Sequence, residues 1–126
     1  MRRMLSWILA GVILTGLAMP RPASAHAILI ASDPPVDGTV VGPDIAVALH
    51  FNSRIDHKRS ALTLTGPDGA QTTLAIAPDT APDEIRTDAT LVPGVYTLRW
   101  QVLSGDGHIT RGDVPFTVVP APAPTP

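Results

Sequence analysis

The amino-acid sequence predicts an all-β protein, a small Greek-key β-sandwich of about seven strands. Apolar residues alternate with polar ones over short runs, and Gly, Pro and Asp residues separate these runs. No stretch after residue 25 has the period of an amphipathic helix. Short strands separated by frequent turns are typical of two antiparallel sheets packed face to face.

Residues 27–76 contain four predicted strands. The first covers residues 27–31, before a Pro-Pro pair. In residues 45–51 the odd positions are apolar and are expected to face the core, because side chains alternate between the faces of a strand. Residues 62–64 and 74–76 lie on either side of the turn Gly66-Pro67-Asp68-Gly69, which predicts a hairpin.

The second half contains three further predicted strands. Residues 85–90 form a short one. Residues 96–102 form the longest, and Trp100 lies on its apolar face and is expected in the core. Residues 104–110 are predicted to be a loop, and the last strand includes residues 114–118.

Residues 1–25 have the pattern of a cleaved secretory signal peptide. Two arginines precede an apolar run of about 15 residues, and Ala23-Ser24-Ala25 provides the small residues of a cleavage site. A retained membrane anchor is the alternative, but a spanning helix needs about 20 apolar residues. A lipoprotein is excluded because the chain has no cysteine. We therefore expect residues 26–119 to form a soluble periplasmic domain, followed by a flexible Pro/Ala-rich tail at 120–126.

The composition of residues 26–126 limits the partners. Six basic and eleven acidic residues give a formal charge of −5, because three of the nine basic residues precede residue 26. This charge disfavours nucleic acid and anionic membranes as main partners. The chain has no cysteine, and its three methionines all precede residue 26. The exported part therefore offers no soft ligand for Cu(I), and its metal ligands are limited to nitrogen and oxygen donors.

His26 directly follows the predicted cleavage site and would become the N-terminal residue. Its α-amine and imidazole could then chelate one metal ion together. Asp106 and His108 are two residues apart, so in an extended segment their side chains point to the same face. If the two segments meet, three nitrogens and one oxygen surround one point, and this donor set suits Cu(II). A free α-amine has a pKa of about 7.7–8.0, so binding would displace a proton and weaken in acid.

Each of these residues has a simpler interpretation when it is taken alone. His26 could follow a cleavage site without binding anything, Asp106-Gly107 is a common hairpin turn, and His108 could be a solvated loop residue. His50 is expected on the solvent face of its strand. His57 is expected in a solvated loop, within a basic cluster that could alternatively be a docking patch. Only the combination of His26, Asp106 and His108 specifically indicates a metal site.

The exported chain resembles the CopC-type periplasmic copper-binding proteins along nearly its whole length. The resemblance implies an immunoglobulin- or cupredoxin-like β-sandwich that binds one Cu(II) per chain. The implied ligands are the amine and imidazole of His26, with Asp106 and His108. The matching segments are His26-Ala27, Ser32-Asp33-Pro34-Pro35 with Gly38, Leu49-His50-Phe51, residues 94–104 around Trp100, Gly105-Asp106-Gly107-His108, Gly112 and Phe116.

The resemblance implies a monomeric copper-binding protein rather than an enzyme. It would sequester, buffer or deliver Cu(II) in copper homeostasis or resistance, with a CopD-type inner-membrane protein as a separate partner chain. Two features depart from the family pattern. Some members hold Cu(I) in a methionine-rich loop, which is not expected here. Some place a carboxylate shortly after the phenylalanine of the second strand, where this chain has Asn52-Ser53-Arg54 after Phe51.

Two other functions are alternatives. A copper-dependent monooxygenase could also use an N-terminal histidine chelate, but such enzymes present a broad aromatic surface for their substrate. The exported chain has one tyrosine and one tryptophan, and both are expected in the core. A metal-free interaction module would leave the coincidence of His26 with Asp106 and His108 unexplained. Tight Cu(II) binding separates the metal-free module from the rest, and oxygen consumption with copper and a reductant separates the enzyme.

Overall fold

A computed structural model describes residue 16 and residues 26–124, and it confirms the predicted all-β fold. The predicted signal peptide, residues 1–25, lies outside the described residues apart from Gly16. No helix within the described part of the chain is long and apolar enough to cross a membrane. The elements are β1 (Leu29–Asp33), β2 (Gly38–Val41), β3 (Asp44–Phe51), a 3₁₀ turn (His57–Arg59), β4 (Ala61–Thr65), β5 (Gln71–Leu74), β6 (Glu84–Thr90), β7 (Gly94–Leu103) and β8 (Ile109–Val119).

The eight strands form two sheets. The smaller sheet has the strand order β1-β3-β6, and the larger has the order β2-β8-β7-β4-β5. Neighbouring strands run antiparallel, except that β2 and β8 are parallel. Only β4–β5 and β7–β8 are hairpins within one sheet, and every other connection crosses to the opposite sheet. Consecutive strands are therefore seldom neighbours, and the two ends of the sandwich are built from connections that are distant in sequence.

The core lies between the two sheets, as the alternation of apolar residues predicts. The odd positions of β3 are buried, from Ile45 to Phe51. Trp100 on β7 is 6% exposed and packs edge to face against Phe51, with the ring centroids 5.2 Å apart. Its position in the core confirms the prediction. The same alternation on β8 buries Val114, Phe116 and Val118.

The edge strands β1, β2 and β5 differ in their existence or bounds from the prediction, because their apolar alternation is weak. The sequence analysis did not identify β2, which has four residues and alternates half-buried with exposed positions. The first strand begins at Leu29 rather than at residue 27 and extends to Asp33. Of residues 74–76, only Leu74 belongs to the hairpin, where it pairs with Leu62. Edge strands lack neighbours on one side, so fewer of their residues need to be apolar.

The predicted loop at 104–110 is shorter in the structure. Strand β8 begins at Ile109 and has 11 residues, which makes it longer than β7 with 10 residues. Leu103 pairs with Ile109, so residues 104–108 alone connect the two strands. The polar residues at the start of β8 concealed its beginning, because the apolar alternation starts only at Val114.

One end of the sandwich, which we call the His26 end, contains all four histidines. Leu29 at the start of β1 pairs with Phe51 at the end of β3. The β7–β8 loop lies at the same end, because residue 55 forms an isolated bridge with Ser104. The His26 end therefore combines residues 26–28, 50–59 and 104–108.

Candidate metal centre

The loop between β7 and β8 carries two of the three predicted ligands. The N–H of Ser104 donates to the carbonyl oxygen of His108 over 2.9 Å, and the N–H of Gly107 donates to the carbonyl oxygen of Ser104 over 3.0 Å. Gly107 has a φ of +86°, in the left-handed region that glycine adopts without steric cost. These contacts give the loop a defined conformation from its own backbone.

Asp106 is oriented by two neighbours in this loop. Its Oδ1 accepts hydrogen bonds from the hydroxyl of Ser104 and from the N–H of His108, the latter over 3.1 Å. Its Oδ2 lies 2.9 Å from Nδ1 of His108. The Ser104 hydrogen bond, followed by the one from the His108 N–H, lowers the pKa of Asp106 to about 2. The carboxylate is therefore ionised at neutral pH, and an imidazole that donates Nδ1–H to it leaves Nε2 for a metal.

Ser104 connects both halves of the loop. The residue is 2% exposed, and its hydroxyl contacts the carbonyl oxygen of His108 (2.9 Å) as well as Asp106. A single buried side chain thus contacts both residues that the sequence predicts as ligands in this loop. The hydroxyl has one proton, which the two acceptors share.

Residues 26–28 approach this loop from the smaller sheet. Ala27 is buried in the core at 1% exposure, and its carbonyl oxygen accepts a hydrogen bond from the hydroxyl of Thr110 over 2.8 Å. Ile28 exchanges two hydrogen bonds with Asn52. The Ile28 N–H donates to Asn52 Oδ1 over 2.8 Å, and the Asn52 N–H donates to the Ile28 carbonyl over 3.0 Å.

These contacts place His26 beside His108 and Asp106. The two imidazole rings have centroids 4.4 Å apart and planes inclined by 62°. One donor atom from each of the three residues lies within 4.8 Å of the others, and this is the one such group that the described residues form. Donor atoms bound about 2 Å from one metal ion are about 3–4 Å apart. Small side-chain rotations would therefore bring all three residues to a shared ion.

The other two histidines lie beside Glu84 and outside this group. His50 Nδ1 is 3.7 Å from Glu84 Oε2, and Arg86 pairs with Glu84 Oε1. His57 does not lie in a solvated loop, as its basic surroundings in the sequence had predicted. Its Nε2 lies 2.6 Å from the carbonyl oxygen of Glu84 and 3.0 Å from the hydroxyl of Thr80, and the residue is half-buried. Both side chains contact Glu84, and neither belongs to the group that the predicted ligands form.

Three residues that orient the predicted ligands were not identified from the sequence. Ser104 had a usable signal, because serine side chains in turns often hydrogen-bond to nearby backbone groups, as this one does to the carbonyl oxygen of His108. Asn52 contacts Ile28 across 24 residues, and Thr110 contacts Ala27 across 83 residues. No local pattern could have revealed these two contacts.

Comparison with known proteins assigns all eight described strands to one domain family. The sequence pattern of the CopC domain matches residues 29–119. The chain belongs to the CopC family. It is 31% identical over 120 residues to Protein YobA of Escherichia coli K12. This alignment covers 92% of this chain and 95% of YobA. It is 30% identical over 105 residues to Copper resistance protein C of Xanthomonas campestris pv. juglandis, which covers 76% of this chain and 82% of that protein.

A solved structure shows the same architecture. The crystal structure of CopC from Methylosinus trichosporium OB3b matches with a TM-score of 0.71 and 27% identity, over 79% of this chain and 100% of that chain. The family resemblance and the fold class inferred from the sequence are thus confirmed, and family membership supports a function in copper handling. The domain pattern begins three residues after His26, so it does not itself include the N-terminal ligand.

Proposed function

We propose that the exported protein binds one Cu(II) ion in the periplasm and sequesters it, buffers it or delivers it to a membrane copper importer. The observation that carries this proposal is the group formed by His26, Asp106 and His108, whose donor atoms lie within 4.8 Å of one another. Removal of residues 1–25 would add the α-amine of His26 as a fourth donor. Residues 26–119 would then be the copper-binding domain, with 120–126 as a flexible tail.

The donor set favours Cu(II) over other metals. One amine, two imidazoles and one carboxylate provide three nitrogens and one oxygen, and tetragonal N/O sites suit Cu(II). Among divalent first-row metals Cu(II) also binds such sites most tightly. The charge of Asp106, which is retained because its pKa is held at about 2, offsets part of the charge of the ion. No methionine follows residue 26, so we propose no Cu(I) site.

We propose that the protein is a carrier rather than an enzyme. Four protein donors fill a square-planar coordination shell, which leaves little room for a substrate or dioxygen. Tyr96 and Trp100 are buried, at 5% and 6% exposure, so neither aromatic ring is available on the surface to bind a substrate. The acceptor would be a CopD-type membrane protein on a separate chain, which a monomeric carrier would reach by diffusion.

A Cu(II) titration monitored by electron paramagnetic resonance tests this proposal. Three proteins are compared: one that begins at His26, one with a single glycine added before His26, and the variant His50→Ala. We expect the first and third to bind one Cu(II) tightly with a nitrogen-rich spectrum, because His50 lies outside the group. The added glycine converts the amine into an amide, so the second protein should bind much more weakly.

Equal binding by the first two proteins would contradict a role for the His26 terminus. The enzyme alternative is tested with the same copper-loaded protein. With ascorbate present, we expect it to consume oxygen more slowly than an equal concentration of free copper. Faster consumption than free copper would contradict the carrier proposal.

A further inference from the structure

The N-terminal end of the exported chain has an unusual structural requirement. The first residues of a domain are commonly mobile unless other parts of the fold hold them. The strand β1 begins only at Leu29, and its pairing with β3 contains an irregularity between Leu29 and Ala31. Regular strand pairing therefore does not explain how His26 is held beside His108.

Two side chains and one backbone group from other parts of the fold hold residues 27 and 28. The Thr110 hydroxyl donates to the carbonyl oxygen of Ala27, and Asn52 both accepts from and donates to the backbone of Ile28. The methyl group of Ala27 is buried in the core. The two residues after His26 are thus fixed by three hydrogen bonds and one buried side chain.

Thr110 has a special position among these contacts. It lies on β8, two residues after His108, and it pairs with Val102 of β7. Its hydroxyl contacts the residue that directly follows His26. One hydrogen bond therefore connects the two backbone segments that carry the histidines, at a point one residue from the first and two residues from the second.

We propose that Thr110 and Asn52 are positioning residues that hold the N-terminal chelate of His26 against His108 before copper binds. The inference rests on the proposed Cu(II) site. Without these contacts, copper binding would itself have to order residues 26–28. Ordering backbone and side chains lowers affinity, because the lost conformational freedom is subtracted from the binding energy.

The test uses variants of the protein that begins at His26. Thr110→Val, Thr110→Ser and Thr87→Val are the main comparison, His108→Ala provides a reference spectrum, and Asn52→Ala is made alone and combined with Thr110→Val. Valine matches threonine in shape but removes the hydroxyl, whereas serine keeps it. Thr87 is the matched control, since its hydroxyl also donates to a backbone carbonyl, that of Ala75 over 2.6 Å, but on β6. Cu(II) affinity, the electron paramagnetic resonance spectrum and the urea unfolding midpoint are measured for each.

We expect Thr110→Val to weaken Cu(II) binding by about 5- to 10-fold, the effect of one hydrogen bond whose buried acceptor loses its partner. Its spectrum should contain a second component that matches the His108→Ala variant, since part of the population would bind copper at the terminus alone. Thr110→Ser should restore the wild-type affinity and spectrum. Thr87→Val should lower the unfolding midpoint but leave affinity and spectrum unchanged. Asn52→Ala combined with Thr110→Val should weaken binding further than either single change.

Two results would overturn the inference. One is Thr110→Val with wild-type affinity and spectrum. The other is an equal loss of affinity in Thr110→Val and Thr87→Val, which would assign the effect to general destabilisation. Both results are distinct from failure of the proposed function, which would appear in the wild-type protein as binding that a glycine before His26 does not change.

Discussion

The two halves of the proposed copper centre are held in different ways. In the loop half, the contacts that orient Asp106 and His108 come from residues 104–108 themselves. In the N-terminal half, the contacts to residues 27 and 28 come from partners 83 and 24 residues away. The directions of the Asp106 and His108 side chains are therefore set within one short hairpin, although the Gly105 N–H also anchors this loop to the carbonyl oxygen of Arg54 over 3.2 Å. The N-terminal half exists only when both sheets are assembled.

Substitutions in the two halves should therefore disrupt the proposed copper centre in different ways. A change in the N-terminal half should separate the ligands while each remains chemically intact. A change in the loop half should leave His26 in place and misdirect a carboxylate or an imidazole.

Insertion of one glycine between His26 and Ala27 should have the largest effect. The α-amine and imidazole still form a terminal chelate, but Ala27, which Thr110 holds by a hydrogen bond, is no longer attached directly to the histidine. Engagement of two linked binding groups at once is worth about 100-fold or more in affinity, and this gain should be lost. A Cu(II) competition titration measures the change.

The matched control is a glycine inserted after Pro122, in the exposed tail. It adds the same residue without touching either half, so it should bind Cu(II) like the wild type. Wild-type affinity in the His26–Ala27 insertion would show that the N-terminal half needs no fixed register, and would contradict the proposed contact between the two halves.

Ser104→Ala should weaken Cu(II) binding by about 10-fold. Its hydroxyl contacts both Asp106 and the backbone of His108, and loss of a partner that orients a metal ligand commonly costs 10- to 100-fold. Ser60→Ala is the control, because the Ser60 hydroxyl also donates to a backbone carbonyl, that of Asp56 over 2.6 Å. An equal effect of both substitutions would show that Ser104 contributes only to stability.

The same contrast explains what could be predicted from the sequence. The buried faces of β3 and β7 followed from strict alternation. Asp106 and His108 were predicted as ligands from their spacing in an extended segment, but residues 105–107 form a turn, so their approach depends on the hydrogen bonds of that turn, and their role as ligands stays a prediction. The strand β2 could not be predicted, since four residues with little burial carry no distinctive pattern. Thr110 and Asn52 could not be predicted either, because their roles depend on the sheets bringing distant residues together.

Acidification of the metal-free protein should produce the smallest effect, and it tests the loop half of the centre by itself. The pKa of Asp106 is about 2 in the folded protein, below its ordinary value of 3.8. The ionised carboxylate therefore stabilises the fold above about pH 3.8, and this contribution disappears as the pH falls through about 2. The difference in urea midpoint between wild type and Asp106→Asn should be constant from pH 7 to pH 5 and should shrink between pH 4 and pH 2.

The two halves predict different behaviour of this pH dependence in variants. Ser104→Ala removes the hydrogen bond that lowers the pKa of Asp106 most, so it should raise that pKa towards 3.8. Measured in this background, the effect of Asp106→Asn should be smaller from pH 7 to pH 5, and its loss should still begin near pH 3.8 but be complete at a higher pH. Thr110→Val acts only on the N-terminal half and should leave the pH profile unchanged while it weakens copper binding. Parallel shifts in both variants would mean that the halves are coupled before metal binding, and the loop half could then no longer be regarded as a locally determined unit.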